Sequence, residues 1–265
     1  MIKKISSTAN PEIKEYIKIL RKSNARKQSE YFLVEGVREI DIAIRNNYLI
    51  KKIIYNPTLI NFDKVKKYVK GKTECIETTN NVYKKISYRS STEGLIALVE
   101  KKNHNIDTLK INNRSPLILI LDGIEKPGNI GALLRTSDAA NIDAVFIINQ
   151  KTDLYNANII RSSIGCLFSN NIILTTAEET IGFLKKNNIK IFSSFLKASR
   201  KYQEINYNDA CAIVLGSEDK GISKKWIDGS DELIYIPMQG HIDSLNVSNS
   251  GAIIIYEAKR QRNFK

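Results

Sequence analysis

Asn129, Arg135, Glu218, Ser244 and Asn246 are the side chains of this 265-residue chain best placed for chemistry, because they cluster around loops that glycine or proline cuts into apolar runs. The first loop, Pro127-Gly128-Asn129, precedes a segment bearing Arg135. The second reads Leu215-Gly216-Ser217-Glu218-Asp219-Lys220-Gly221, and the third runs from Ile236-Pro237-Met238 to Ser244-Leu245-Asn246. Polar groups beside glycine at the C-terminal ends of strands are where α/β proteins collect ligands, so the three loops read as one composite pocket.

Each loop also has a plainer reading. Asn129 has the chemistry of a helix N-cap. Arg135, among Ala132, Leu133, Leu134 and Ala139, reads as a half-buried guanidinium whose anionic partner is either a ligand or a structural salt bridge. Gly216 and Gly221 let backbone approach a ligand, whereas Glu218 and Asp219 between them equally suit a solvated turn. Leu245 reads as an insert toward a flat apolar ligand or as a hydrophobic staple beside a cap supplied by Asn246 or Ser248.

The elements that must hold these loops follow from periodicity. Asn10-Pro11 opens a helix to about Arg21. YFLVE, LIKKIIYN, TECIE and GLIALVE read as strands separated by helical stretches, a compact α/β unit of roughly a hundred residues. After residues 100–116 the apolar runs LILILD, AVFIIN, IKIFSSF, ACAIVLG and ELIYIPM alternate with helices, the last from about Val247 to Arg262. LILILD suits a parallel strand buried on both faces. The fold class is therefore α/β, with a mostly parallel sheet covered by helices and a smaller N-terminal α/β domain.

Charge separates the two halves. Forty-one Lys and Arg against 28 Asp and Glu give +13, and residues 1–110 carry 23 basic and 12 acidic residues, +11, leaving +2 for the rest. A polyanion contact is expected on the N-terminal half, where Lys14, Lys18, Arg21, Lys22, Arg26 and Lys27 recur with Tyr16 among few acids. A solvated basic helix is the alternative.

Other classes lose support. There is no G-x-G-x-x-G after a strand and no G-x-x-x-x-G-K-[ST], so neither a nicotinamide-type nor a P-loop nucleotide site is indicated. Cys75, Cys166 and Cys211 are odd in number and far apart, and with only His104 and His241 no metal site is expected. Neither an apolar run of eighteen residues nor a secretory leader is visible, which predicts a cytoplasmic protein with no membrane partner.

Taken in order, the three segments resemble the SpoU family of RNA ribose methyltransferases, the TrmH-like branch of the SPOUT class. The matching positions are Asn129, Gly131 and Arg135, then Gly216, Glu218 and Gly221, then Ile236, Pro237, Met238 and Ser244 to Ser248; RSSIG at Arg161 to Gly165 and YEAKRQR at Tyr256 to Arg262 extend the likeness. RKSNARKQSEYFLVEGVREI and EGLIALVE are similar to an L30e-like substrate-binding domain. The resemblance implies a basic RNA-binding domain over residues 1–105, a linker over 106–115 and a trefoil-knotted methyltransferase domain over 116–265. It implies S-adenosylmethionine as cofactor, contacted at Gly216, Ile236 and Leu245 with Met238 and Ser244 nearby, and a ribose 2'-hydroxyl of RNA as acceptor. It makes Arg135 the catalytic arginine, oriented by Asn129, Glu218, Ser244 and Asn246, and adds Arg161 to the RNA-binding set.

Large-subunit ribosomal RNA is the expected substrate, since the separate basic domain is typical of the family's rRNA enzymes. A tRNA ribose methyltransferase and a non-catalytic RNA-binding protein are the alternatives. A homodimer through the C-terminal domain is also implied. Asn249 and Ser250 stand where relatives commonly carry small apolar residues, a departure expected to bear on packing of the last helix.

Overall fold

A computed structural model describes residues 2–89, 93–109 and 111–264. The chain forms two compact units, Met1–Lys102 with Asp153–Ser169, and Asn103–Thr152 with Asn170–Lys265.

In the first unit, β1 (Ile2–Ile5), β2 (Tyr31–Glu35), β3 (Ile50–Tyr55), β4 (Glu74–Thr78) and β5 (Leu95–Glu100) form a mixed sheet in the order β1-β4-β3-β5-β2. β1, β4 and β3 run parallel, and β5 is antiparallel to β3 and β2. Periodicity did not reveal β1, whose IKKI offers too short an apolar alternation. The helix Pro11–Arg21 starts as expected, the Asn10 side chain accepting from the Glu12 amide at 2.9 Å. Its buried face packs Ile13, Tyr16, Ile19 and Leu20 over Ile54, Ile76 and Ile96. Tyr16 is therefore a core residue, its hydroxyl donating to Glu12 at 2.5 Å, and not a surface aromatic beside the lysines.

Residues 116–265 do not all belong to the second unit: Asp153–Ser169 packs within the first. The Phe32 and Tyr155 rings stack at 4.0 Å between centroids, and Tyr48 meets Phe168 edge-on at 4.9 Å. Asp153 pairs with Arg26 at 3.0 Å, and both side chains are buried. At Gly165 a Cβ would lie 3.1 Å from Glu39 Cα, so the segment's turn sits directly on helix Val37–Arg45. These contacts join residues far apart in sequence, which periodicity cannot register.

The second unit holds β6 (Leu117–Asp122), β7 (Ala144–Ile148), β8 (Ile172–Thr175), β9 (Lys190–Ser194), β10 (Arg200–Lys201), β11 (Cys211–Leu215) and β12 (Glu232–Tyr235). Their order is β10-β12-β9-β11-β6-β7-β8, with every pairing parallel. β6, β7 and β11 are buried throughout, as their apolar runs require. The last helix, Val247–Gln261, packs on helix Pro127–Ala139 and on β11. At Gly251 a Cβ would fall 2.4 Å from Leu133 Cδ2 and 2.7 Å from Leu215 Cδ1, so any larger residue requires both leucine side chains to shift. The order of β9, β11 and β6 and this return of the last helix are consistent with the trefoil knot the resemblance implies. Asn249 is exposed and Ser250 half-buried, so neither is among the buried residues of that helix.

Candidate active site

All strands of the second sheet are parallel, so their C-terminal ends share one edge, and the three loops leave from that edge. β6 ends in Asp122, only 4% exposed, and Gly123 follows at φ 66°. Asp122 Oδ1 accepts from Asn149 Nδ2 at 2.6 Å and Oδ2 from the Ser223 amide at 3.3 Å. One buried carboxylate thus joins the ends of β6 and β7 to the chain beyond Gly221. Sequence reasoning did not select Asp122; the one available signal was an acid closing an otherwise apolar strand.

Helix Pro127–Ala139 begins two residues before Asn129. Its N-cap position is Lys126, which gives no side-chain bond, so Asn129 is not the cap and its amide is free to reach across the loops. Its Nδ2 donates to Glu218 Oε1, and its Oδ1 accepts from Asn246 Nδ2 at 3.2 Å. Asn246 in turn caps the last helix, accepting from the Ser248 amide at 3.0 Å and the Ser248 hydroxyl at 2.6 Å. The first, second and third loops are therefore latched by one chain of side-chain hydrogen bonds.

The second loop closes on itself. Ser217 and Gly221 exchange backbone hydrogen bonds of 3.1 and 2.9 Å, and the Lys220 amide donates to Ser217 Oγ at 3.2 Å. A Cβ at Gly216 would lie 2.1 Å from the Gly221 carbonyl carbon. Glycine at 216 is thus required by the loop's own closure, and the space on that side of its Cα is filled by Gly221. Gly221, at φ 63°, has open space there.

Arg135 departs from expectation. It is exposed, and it makes no ion pair or hydrogen bond with any described residue, because the helix turns Leu133 and Leu134 inward and Arg135 outward; Ala139 is exposed too. Glu218 is engaged by Asn129, and exposed Ser244 donates to Asp243 at 3.0 Å. Neither faces Arg135 as a hydrogen-bonding partner, so the guanidinium is available to an anion from outside.

Ile236, Met238 and Leu245 are half-buried apolar side chains at the same edge. Apolar surface beside backbone polar groups suits a flat, weakly polar ring. Exposed Asp219, Asp243 and the engaged Glu218 add carboxylates compatible with a cationic ligand. These residues fit an adenosyl sulfonium cofactor.

Of the residues expected to face RNA, Lys14, Lys18, Arg21, Lys22, Lys27 and Arg161 are exposed, and Arg26 is not. Besides pairing with Asp153, Arg26 donates through one terminal nitrogen to the Ile19 and Leu20 carbonyls at 2.9 and 3.0 Å. It fastens the C-terminal end of helix Pro11–Arg21, and its donors are no longer open to phosphate. Among the described residues no group of three His, Cys, Asp or Glu could hold a metal ion, and no helix is long and apolar enough to cross a membrane.

Residues 116–256 match the SpoU rRNA Methylase family, and residues 10–97 match an MRM3-like substrate binding domain. A solved RNA 2'-O ribose methyltransferase is 35% identical, with a TM-score of 0.85 over 98% of this chain and 99% of that one. The Bacillus subtilis 23S rRNA (guanosine(2553)-2'-O)-methyltransferase RlmP is 25% identical over 97% of this chain and its own full length. The SpoU methyltransferase AviRb from Streptomyces viridochromogenes, solved with AdoMet, shares the fold at a TM-score of 0.88 and 24% identity, covering 96% of this chain and 98% of that one.

Proposed function

The chain belongs to the SpoU rRNA methylase family, and from that premise we propose that it methylates a ribose 2'-hydroxyl of large-subunit ribosomal RNA with S-adenosylmethionine. The observation that carries the reading is the latch of Asn129 to Glu218 and Asn246, which gathers three loops at one strand edge and leaves Arg135 exposed on the helix that also bears Asn129. The relative from Bacillus subtilis, alike along 97% of this chain, is named for 23S rRNA, which supports the ribosomal substrate.

The cofactor supplies a methyl group already activated on a sulfonium; Ile236, Met238, Leu245 and the backbone of the second loop would hold it. This chain's own tasks are then to align the acceptor, exclude water and offset the charge that grows on the 2'-oxygen. Arg135 performs the last. It acts by donating hydrogen bonds to the acceptor oxygen or its phosphate, which favours the alkoxide as the 2'-hydroxyl proton passes to solvent water and the methyl group moves from the sulfonium, leaving a neutral thioether. Asn129, Glu218, Ser244 and Asn246 position the loops around it. The reading includes a cytoplasmic homodimer through the second unit; Tyr256 and Phe264 of the C-terminal helix region, 44% and 65% exposed, supply apolar surface for it.

The test is transfer of labelled methyl groups to RNA from cells lacking the gene, followed by mapping of 2'-O-methylation. Label confined to 23S rRNA is expected. Label confined to tRNA overturns the substrate, and absence of S-adenosylmethionine binding by the folded protein overturns the enzyme in favour of a binding protein.

A further inference from the structure

The first unit carries an open cleft. It encloses about 310 Å³ of space continuous with solvent, with apolar walls from Leu33, Ile96 and Ile160 and polar ones from Glu35, Arg89 and Arg161. Its enclosed part has room for about one water-sized group.

Glu35 is the last residue of β2 and half-buried. Its Oε2 accepts from the Tyr88 and Arg89 amides at 2.6 and 3.1 Å, while Oε1 is buried and meets no donor among the described residues. A buried carboxylate oxygen without a donor is unfavourable, and a ligand N–H removes that penalty. One exposed guanidinium lines the same cleft, and a second lies beside Ser87. Arg161 lines the cleft and makes no ion pair among the described residues, and Arg21 reaches the Ser87 carbonyl, beside Tyr88, at 3.5 Å. Arg89 is held by Glu39.

The helix bearing Arg161, Ala157–Ser162, is followed by an unusual turn. Ile164 sits at φ 49° and Gly165 at φ 88°, and left-handed backbone is rare for a β-branched residue. Contact of Gly165 with helix Val37–Arg45 holds the turn in place. Backbone kept in a disfavoured conformation by its surroundings is commonly found where a side chain must be aimed.

We infer that this cleft takes the edge of an unpaired nucleobase of the RNA substrate, with a base N–H on Glu35 Oε1 and the adjoining phosphate on Arg161 and Arg21. The proposal rests on the reading above only for the identity of the polymer. A carboxylate oxygen accepts and cannot donate, so it selects base edges that present N–H groups. In a duplex those of the Watson–Crick edge are occupied, whereas single-stranded loops expose them.

The experiment measures fluorescence anisotropy of the full chain with a mixed-sequence 12-nucleotide single-stranded RNA and with the same sequence as a duplex. Glu35→Gln keeps an oxygen for the two amides and offers N–H groups where Oε1 stood. It is expected to weaken single-strand binding about tenfold or more and leave duplex binding unchanged. Arg161→Glu, at an exposed position, is expected to weaken binding at least tenfold, and Arg161→Ala to lower the salt slope by about one. Wild-type affinity in Glu35→Gln or Arg161→Glu overturns the inference, as does an equal loss on single strand and duplex in Glu35→Gln. S-adenosylmethionine binding by calorimetry and methyl transfer are followed in parallel. A wild-type protein that transfers no methyl group defeats the proposed function, while the RNA affinities still decide the cleft.

Discussion

Asn246 donates to Asn129 across 117 positions of sequence, at 3.2 Å, while its own side-chain oxygen caps the last helix. A single side chain therefore couples the start of that helix to the first loop, and through Asn129 to Glu218 on the second.

Asn129→Ala removes both bonds at once. Because Glu218 and Asn246 are exposed, the stability change is expected to stay within about 1 kcal/mol. Single-turnover methyl transfer should fall about 10- to 100-fold, since loop placement and not folding is lost. Thermal melting and rapid-quench kinetics separate the two; equal losses in stability and rate would mean the latch is merely structural.

Arg135→Lys is expected to reduce the transfer rate about 100-fold, a typical consequence of removing a donor to a developing oxyanion. With no partner among the described residues to lose, melting should shift by less than about 0.5 kcal/mol in stability, and calorimetry should find cofactor affinity unchanged. Full activity across a pH–rate profile would remove Arg135 from the chemistry.

Asp153→Ala leaves Arg26 buried and unpaired, so a destabilisation of about 3–5 kcal/mol is expected in denaturant titration. Lys14→Ala and Lys18→Ala, both exposed, should instead leave stability alone and lower the salt dependence of RNA binding by about one each. A stable Asp153→Ala variant would return Arg26 to the surface set.

Gly216→Ala sets a Cβ against the Gly221 backbone, which must move because it cannot rotate aside. Opening of the second loop should weaken S-adenosylmethionine binding at least about tenfold, a loss of about 1.4 kcal/mol, read by calorimetry. Unchanged affinity would show that the closed turn is not part of the pocket.

Glu12 supplies a pH dependence. Burial alone would raise its pKa, but hydrogen bonds from Lys3, Lys52 and Tyr16 outweigh that and hold it at about 2, below its usual 4.5. A depressed carboxylate stabilises the fold fully above its unfolded pKa and loses that contribution as pH falls through the folded one. Glu12→Gln should therefore narrow the stability difference from wild type between about pH 4.5 and pH 2. After allowance for solvent screening the difference near neutrality is about 1–2 kcal/mol. A gap that widens as pH falls would reverse the assignment.

Much of this was legible in the chain itself. LILILD, AVFIIN and ACAIVLG are apolar without interruption, and only strands buried on both faces, as β6, β7 and β11 are, use such runs. Asn10-Pro11 marked a helix start because cap and first-turn preferences act over two or three residues. The three loops were visible for the same local reason: glycine, proline and polar side chains interrupt apolar runs. Their order carried the family resemblance.

What the tertiary structure decided is where each charged or polar group points and whom it meets. Arg26 and Arg135 look alike in sequence, each a cation in a helical stretch, yet Arg26 is buried against Asp153, 127 positions away, and Arg135 is exposed. Asn129 has the chemistry of a cap, and became a bridge because the helix starts at Pro127 and brings Glu218 and Asn246 within its reach. Local propensity acts over a few residues and can place loops and strands. The partner of a buried charge or the span of a side-chain amide is set by contacts between distant segments, which exist only once the sheet order has brought them together.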